Sequence, residues 1–290
     1  MSTLEEYVKG LDVLKIKVVP TYYSSGARER ASKLASMADR SYAFLKGFFK
    51  ADADLALLVL NSDDWSKRQP TVPYGVPFTD LGAIHLAADI ETPAIQALSP
   101  MFDNCPKTLK KSLTSAVGIE KTAFTKALQT LFDYLVVHEF THGFAGKRRI
   151  RFGAAWLNEL FANYTTYAFL KRFEPEYKKD LDICEIVLKV IYEGGRPLVK
   201  HTSLEDFERL YIRVGFLNYV WYHGKLFIGV FELYHKYGES FINTLIDTFK
   251  VTDDILAQRI GRSCKGFKQW FGTWRRENQR KRGKRRYYGK

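Results

Sequence analysis

The sequence of 290 residues predicts an α+β fold in which a small mixed lobe precedes a mostly helical lobe. Two observations predict this order: strand and helix patterns are mixed at the start of the chain, and the patterns from about residue 91 onward are helical. Hydrophobic residues make up 46% of the chain, so a sizeable core can be buried. We expect a mixed lobe over residues 1–120, a helical lobe over 121–274 and a basic tail over 275–290.

The mixed lobe contains three predicted strands, a helix and a loop. Residues 15–19 alternate between polar and apolar, as in a half-exposed strand, and residues 26–50 have apolar positions at helical spacing. Residues 55–60 form a short apolar run that is typical of a buried strand and that ends in a polar turn or helix cap. A loop is predicted over residues 70–77, which contain glycine and proline, and a further strand over residues 82–87.

From about residue 91 onward, helices are predicted from apolar residues that recur at helical spacing. The predicted helices cover residues 106–116, 121–146, 155–173, 178–193, 204–213, 216–237, 239–249, 253–260 and 264–277. The long second helix of this series should lie at the junction of the two lobes, where clefts usually form.

That long helix carries the run His138-Glu139-Phe140-Thr141-His142. Two histidines four residues apart lie one turn apart on the same face of a helix, so both imidazoles can reach one metal ion. A catalytic zinc takes three protein ligands and leaves a fourth position for water. Glu139 can face that water without binding the metal, which suits a general base.

The next predicted helix places a carboxylate in an otherwise apolar stretch. Burial of an unpaired carboxylate is costly, so Glu159 needs a partner, and a cation answers that need. Glycines between the two helices allow the second helix to pack back on the first. Asn163 lies one turn after Glu159 on the same face, where it could orient a ligand histidine.

The run from Trp156 to Ala162, Trp-Leu-Asn-Glu-Leu-Phe-Ala, completes a resemblance. Together with the histidine motif it resembles the gluzincin metallopeptidases, particularly the aminopeptidase N and leukotriene A4 hydrolase type. The resemblance implies a zincin-like fold and one Zn2+ per chain. It also implies that Glu159 is the third zinc ligand, beside His138 and His142.

The resemblance covers about residues 80–250, with firm matches only over 138–163. The spacer between His142 and Glu159 is shorter than in the aminopeptidases, and Leu160 stands where they have a glycine. These departures favour the broad set of small gluzincin-like, peptidase MA-type proteins over true aminopeptidases.

Peptide hydrolysis also needs a donor for the oxyanion. In the aminopeptidase type a tyrosine of a later helix has this role, and in the thermolysin type a histidine has it. Residues 219–227 resemble that later helix. Counting back from Gly238 favours His223, whereas the residue type favours Tyr222. Both remain candidates, and Tyr222 also fits an ordinary aromatic residue of a buried helix.

Residues 82–86 resemble the edge strand along which aminopeptidases bind an extended peptide. The family has a glutamate that captures the substrate amine where this chain has His85, and an imidazole cannot replace that carboxylate. The chain is therefore not expected to be a general aminopeptidase, and His85 also fits an ordinary strand residue. His201 and His235 lack metal-ligand spacing, and we interpret them as structural.

Basic residues concentrate at the C-terminus, where residues 275–290 carry a net charge of +8 out of +13 for the chain. This tail is either a solvated, mostly disordered segment or a non-specific contact for nucleic acid or another polyanion. Three widely spaced cysteines, together with the lack of an apolar signal sequence and of a membrane-length apolar run, predict a cytoplasmic protein without a membrane partner.

Taken together, these patterns predict a zinc metallopeptidase that acts on a peptide or protein substrate, with Glu139 as general base. An alternative is a nucleic-acid-associated protein that works through its basic tail and keeps the zinc fold as a scaffold. Glu139 argues against this alternative, because a purely structural zinc site has no use for a base. A third interpretation is hydrolysis of a non-peptide substrate in the same site.

Overall fold

A computed structural model describes residues 4–14, 18–118, 120–248 and 253–272. Over these residues the fold is mixed α/β and mostly helical, with a small five-stranded sheet. The strands are β1 (Asp12–Leu14), β2 (Thr21–Tyr23), β3 (Ala56–Leu60), β4 (Phe78–Asp80) and β5 (Ala83–Ala87). The first helices are α1 (Leu4–Tyr7), α2 (Arg28–Phe49), α3 (Ser62–Arg68), α4 (Pro93–Gln96), α5 (Ser99–Asp103) and α6 (Lys107–Val117).

The later helices form the larger part of the molecule. They are α7 (Glu120–Lys147), α8 (Ala155–Arg172), α9 (Glu174–Gly195), α10 (Leu204–Leu210), α11 (Phe216–Tyr237), α12 (Phe241–Thr248) and α13 (Asp253–Ser263), with a 3₁₀ turn (Tyr211–Val214) between α10 and α11. Residues 267–272 are also helical. The predicted helices are confirmed within a few residues wherever the chain is described.

The sheet has the strand order β1-β2-β3-β5-β4. Strands β2, β3 and β5 run parallel to one another, whereas β1 and β4 pair antiparallel at the two edges. Every residue of β3 and β5 is buried, because one face packs on helices of the main core and the other on a smaller cluster around Trp65. Burial on both faces explains why residues 55–60 read as a continuous apolar run.

Two sequence predictions in this lobe are wrong. Val18 and Val19 lie in a bend before Pro20 instead of in a strand; residues 15–17, the rest of that predicted strand, fall outside the described residues. Proline cannot donate a backbone hydrogen bond to a neighbouring strand, which disfavours pairing at this point.

The second error concerns the edge strand. The strand over residues 82–87 is confirmed as β5, but it is internal, since it pairs with β3 on one side and β4 on the other. The edge strand next to β5 is β4, which directly follows the predicted loop over residues 70–77. A strand of three residues is too short to show a period in the sequence, so β4 was missed.

Helix α7 lies between the sheet and the later helices. It packs on α2, β4 and β5 on one side and on α8 and α9 on the other. The main hydrophobic core runs without interruption from Val19 to Phe271 and therefore crosses the predicted lobe boundary at residue 120. Among the described helices, none has the length and apolar character needed to cross a membrane.

Candidate metal centre

Helices α7 and α8 bring the three predicted ligands together. His138 Nε2 lies 3.1 Å from Glu159 Oε2, and His142 Nε2 lies 3.5 Å from the same oxygen. The two imidazoles approach each other to 3.0 Å between their Nε2 atoms. Three potential ligand atoms therefore converge on one point, as the helical spacing of the two histidines predicts.

Asn163 lies next to this cluster, at the predicted place. Its Oδ1 is 2.9 Å from Nδ1 of His138, on the side of the ring that faces away from Glu159. A hydrogen bond from Nδ1–H to this amide oxygen fixes the tautomer in which Nε2 of His138 carries a lone pair. Asn163 is fully buried, so this orientation is held by packing as well.

His223 of α11 joins the cluster from a third helix. Its Nε2 lies 3.7 Å from Glu159 Oε2, and the ligand atoms of His138, Glu159 and His223 all lie within 4.8 Å of one another. This Nε2 is buried and has no hydrogen-bond partner among the described residues. The centre thus contains three imidazoles and one carboxylate.

Burial and charge act against each other in this cluster. Burial opposes ionisation of His142 and Glu159, but their mutual attraction outweighs it. The pKa of His142 is raised to about 9, and the pKa of Glu159 is held well below its usual value. Burial lowers the pKa of His223 to about 4, so this imidazole is neutral near pH 7, with one ring nitrogen that can donate and one that can accept.

Glu139 faces the cleft beside the cluster instead of joining it. The hydroxyl of Thr79, on edge strand β4, donates to Glu139 Oε2 over 2.7 Å. Thr79 faces α7 because side chains alternate along β4 and Phe78 points to the opposite face, where its ring stacks on that of His85. The edge strand therefore orients the carboxylate that the sequence predicts as a general base.

A cleft of about 580 Å³ opens in front of these groups. Its walls come from the loop before β4, from β4 itself and from the helices that carry the cluster. The lining residues include Val72, Pro73, Thr79, Glu139, Tyr211 and Tyr219. The edge strand, the cluster and Glu139 therefore all border this one cleft.

Tyr222 lies apart from the cleft. It is fully buried, and its hydroxyl donates to the carbonyl oxygen of Ser203 over 2.7 Å. Asn218 and Lys225 also bond to the segment before α10, through the carbonyl oxygens of His201 and Thr202. Tyr222 therefore helps to hold residues 201–203 in place. This agrees with the second interpretation of Tyr222, an ordinary aromatic residue of a buried helix.

Two tyrosines that the sequence analysis missed face the centre. The Tyr211 hydroxyl donates to Glu159 Oε1 over 2.5 Å, and the ring of Tyr219 packs edge-on against that of Tyr211 at 6.0 Å between the ring centroids. Tyr219 could have been found, because it lies one turn before His223 on the same helix face. No pattern in the sequence pointed to Tyr211, because it lies in a 3₁₀ turn between two helices, where no helical period of apolar residues continues. Its φ is positive, at 46°.

The other histidines lie elsewhere. His85 is buried on the sheet face opposite α7, where its Nε2 is 2.9 Å from the Tyr7 hydroxyl. His201 exchanges backbone hydrogen bonds with the Asn218 side chain, and His235 is exposed near the end of α11. The basic tail over residues 275–290 falls outside the described residues.

Comparison of the chain with protein-family models, curated proteins and solved structures found no match.

Proposed function

We propose that the protein is a zinc-dependent metallopeptidase with a zincin-like arrangement of its centre. The observation that carries this proposal is the convergence of His138, His142 and Glu159 at a cleft whose wall presents Glu139. Two imidazoles and a carboxylate are the ligands of many hydrolytic zinc sites. A carboxylate base that lies beside the metal ligands without being one of them suits a hydrolase better than a metal-storage protein.

The donor set fits a bound cation. Glu159 is only 1% exposed, and a carboxylate at this depth requires compensation by positive charge. Protonated His142 supplies this charge in the absence of a metal, and a bound cation would take the place of that proton. The Nε2 of His223 has no partner among the described residues, and a substrate oxygen at the centre would supply one. Zinc held here would supply Lewis-acid activation of a carbonyl group and of a water molecule.

The residues of the chain then have distinct roles. Glu139 takes a proton from the attacking water and passes it to the leaving amine. Thr79 holds the Glu139 carboxylate toward the cleft. Asn163 keeps the His138 ring oriented. A peptide that lies along β4 would pass in front of all three groups.

His223 and Tyr219 are the proposed donors to the oxyanion. Tyr219 lines the cleft, and His223 lies beside Glu159. The hydroxyl of Tyr222 is bonded to Ser203, which favours His223 over Tyr222 for this role. A donor helps only when it is aimed at the place where charge develops. His223 and Tyr219 line the same cavity as Glu139, whereas the Tyr222 hydroxyl is bonded to Ser203.

Two glutamate variants test the proposal. Glu139→Gln should keep one zinc per chain, measured by elemental analysis, and lose peptidase activity by about a hundred- to ten-thousand-fold. Glu159→Gln should instead weaken zinc binding itself. Cleavage of a peptide mixture, followed by mass spectrometry, measures the activity. A wild-type rate for Glu139→Gln would exclude this mechanism, and wild-type protein without a transition metal would exclude the centre.

His223 gives a reason to consider a second function. If all four groups bind zinc, the coordination is closed, as in structural sites. The protein would then be a scaffold that contacts nucleic acid or another polyanion through its basic tail. X-ray absorption of the zinc-loaded protein would show three imidazole ligands instead of two. Deletion of residues 275–290 should remove most salt-sensitive polyanion binding.

We also propose a cytoplasmic location with a peptide or protein as the substrate. Cys105, Cys184 and Cys264 are all buried and unpaired, and free thiols of this kind suit a reducing compartment. Fractionation of cells that express the tagged protein checks this proposal.

A further inference from the structure

Three arginines lie in the connection between α7 and α8, residues 148–154, which we call the basic loop. Arg148, Arg149 and Arg151 are all exposed, and the basic loop contains no carboxylate. Among the described residues, none accepts a hydrogen bond from these guanidinium groups or forms an ion pair with them. The loop therefore presents a dense positive charge to the solvent.

Two carboxylates reach the ends of the basic loop, and both are engaged there. Asp54 pairs with Lys147, the last residue of α7, over 2.9 Å. Glu208 accepts the backbone N–H of Ala155, the first residue of α8, over 2.6 Å. Neither carboxylate neutralises the arginines between these two ends.

The backbone of the basic loop also has an unfavourable conformation. It turns at Arg149, whose φ is +52°. The N–H of Ile150 bonds to the carbonyl oxygen of Ala145 over 2.8 Å, as in helix ends at which glycine is the usual residue. The helix dipole favours cations in the last turn, but it does not explain an arginine in the left-handed region, where glycine costs less. Such a residue points to a use for its side chain.

Helix α7 and strand β4 run in the same direction along the cleft. The middle of β4 lies at Glu139, where Thr79 donates its hydrogen bond over 2.7 Å. Just after β4, a Cβ atom added to Gly82 would lie 3.1 Å from the carbonyl oxygen of Asp54, so Gly82 adjoins Asp54. Asp54 in turn pairs with Lys147. The basic loop therefore begins where β4 and α7 both end.

The distance from the centre to the basic loop corresponds to a few residues of a bound peptide. Arg148 follows Glu139 by nine residues, which is about 14 Å along a helix at about 1.5 Å per residue. A peptide that pairs with β4 is extended and advances about 3.3 Å per residue. The residue about four positions from the scissile bond would therefore meet the basic loop.

We infer that the basic loop binds acidic side chains of the substrate about four residues from the scissile bond. The inference rests on the proposed function and specifies its substrate class, which is peptides or protein segments with an acidic cluster on one side of the cleaved bond. Guanidinium groups suit this role because they bind carboxylates through paired hydrogen bonds. A peptide along β4 has one direction, so the acidic cluster contributes on one side only.

Binding of phosphinate peptides tests this inference without reliance on turnover. A phosphinate that replaces the central peptide bond binds zinc and fixes the register. Three such peptides of equal length with blocked ends carry glutamates about four residues before it, glutamates about four residues after it, or glutamines at both places. Fluorescence anisotropy with the zinc-loaded full chain measures the affinities. One glutamate peptide should bind about 5- to 30-fold more tightly than the glutamine peptide at low salt, and about 0.5 M salt should remove the difference.

The other outcomes are distinct. Equal affinities of all three peptides would overturn the inference but leave the centre intact. Equal gains for both glutamate peptides would overturn it in favour of a non-specific polyanion surface, to which a single-stranded oligonucleotide would bind as well. If none of the peptides binds, the result counts against the proposed function and against the inference that rests on it.

Replacement of all three loop arginines by glutamine should remove the preference for the acidic peptide and leave the affinity for the glutamine peptide unchanged. A control variant removes the same number of positive charges at exposed positions of α6 and α9 and should keep the preference: Lys107→Gln, Lys111→Gln and Lys189→Gln. A preference that survives the loss of the loop arginines would exclude the basic loop as the site.

Arg149→Gly separates the role of the side chain from the stability of the loop. Glycine relieves the left-handed conformation, so the melting temperature should rise by about 1–3 °C. The affinity for the acidic peptide should nevertheless fall about 2- to 5-fold, because one guanidinium group is lost. General damage to the fold cannot combine higher stability with weaker binding. If the triple variant does not fold, Arg149→Gly decides alone, and an unchanged affinity would contradict the inference.

Discussion

At the scale of single residues, Glu159 is the most constrained group of the centre. One of its oxygens faces the imidazoles, and the other accepts the hydrogen bond of Tyr211. Tyr211 has φ 46° and ψ −122°, a conformation that costs a non-glycine residue about 1–3 kcal/mol. Such strain persists only where the surroundings fix it, and the Tyr211 ring packs edge-on against Phe207 and Tyr219 while its hydroxyl is bonded to Glu159.

Removal of the Tyr211 hydroxyl should therefore weaken metal binding. Tyr211→Phe leaves one oxygen of Glu159 without its donor, and loss of such a supporting bond typically costs about 10- to 100-fold in metal affinity. Competition with a zinc chelator measures the affinity. Tyr222→Phe is the matched control: it removes a hydroxyl bonded to Ser203 and should lower the free energy of unfolding by about 1 kcal/mol without a change in zinc affinity. Equal zinc affinities in Tyr211→Phe and wild type would show that this bond does not support the centre.

The scale of secondary structure shows what the sequence could and could not predict. Helices with a regular apolar period, such as α2, α7 and α11, were predicted because burial of one face repeats along the chain. The closeness of His138 and His142 was predicted for the same reason, since both histidines share that period; that they bind a metal stays a prediction. Thr79 and Tyr211 were not, because a short edge strand and a 3₁₀ turn reach the centre only through tertiary packing.

Strand β5 gives a prediction about pH. His85 is fully buried, and burial lowers its pKa to about 4, against an ordinary value of 6.5. The charge of Asp80 raises this pKa and that of Arg68 lowers it, but burial has the largest effect on the pKa. The Tyr7 hydroxyl also contacts the ring. Between pH 6.5 and 4 the unfolded chain binds a proton that the folded chain does not, so stability falls as the pH falls through this range.

Replacement of His85 by phenylalanine should reduce this acid sensitivity, because a phenyl ring keeps the stacking on Phe78 and cannot be protonated. From pH 7 to pH 4.5, wild type should lose about 2–3 kcal/mol more of its free energy of unfolding than His85→Phe. Urea denaturation at both pH values measures the difference. Parallel losses in the two proteins would mean that His85 titrates normally in the folded state.

Helix α9 gives a second prediction at this scale. A Cβ atom added to Gly194 would lie 1.8 Å from the carbonyl oxygen of Met101, so α9 can approach α5 only with glycine at this position. Gly194→Ala should therefore destabilise the protein by about 1–3 kcal/mol or more. Gly47→Ala, in the exposed last turn of α2, meets no atom within 4 Å and should stabilise by about 0.5–1 kcal/mol. Thermal denaturation distinguishes the two, and a stable Gly194→Ala variant would contradict the packing.

At the scale of the whole molecule, one core joins the two predicted lobes. Helix α7 buries one side against α2 and the sheet, which lie before residue 120, and another side against α8 and α9. The boundary between two lobes at residue 120 thus stays a prediction about the order of the elements along the chain. Because the hydrophobic core crosses this boundary, we expect the whole protein to unfold cooperatively in one step.

Residues 121–274 expressed alone should therefore not form a cooperative fold, because α7 would expose the apolar face that packs on α2 and β5. Near-ultraviolet circular dichroism and urea titration measure this, with the full chain as reference. The full chain should unfold in one transition. A sharp transition of residues 121–274 by themselves would show two independent lobes.

A zinc ion held by the proposed ligand set of two imidazoles and one carboxylate would compete with other metal ions for the centre. Nitrogen-rich sites of this kind discriminate strongly against magnesium and calcium, which prefer oxygen ligands. They discriminate poorly between neighbouring transition metals, and in the Irving–Williams order copper(II) binds more tightly than zinc. The metal found in purified protein should therefore depend on the growth medium. Copper-rich medium should yield copper-loaded protein that is green or blue. Cobalt supplied in place of zinc should report the coordination number of the centre through its visible spectrum.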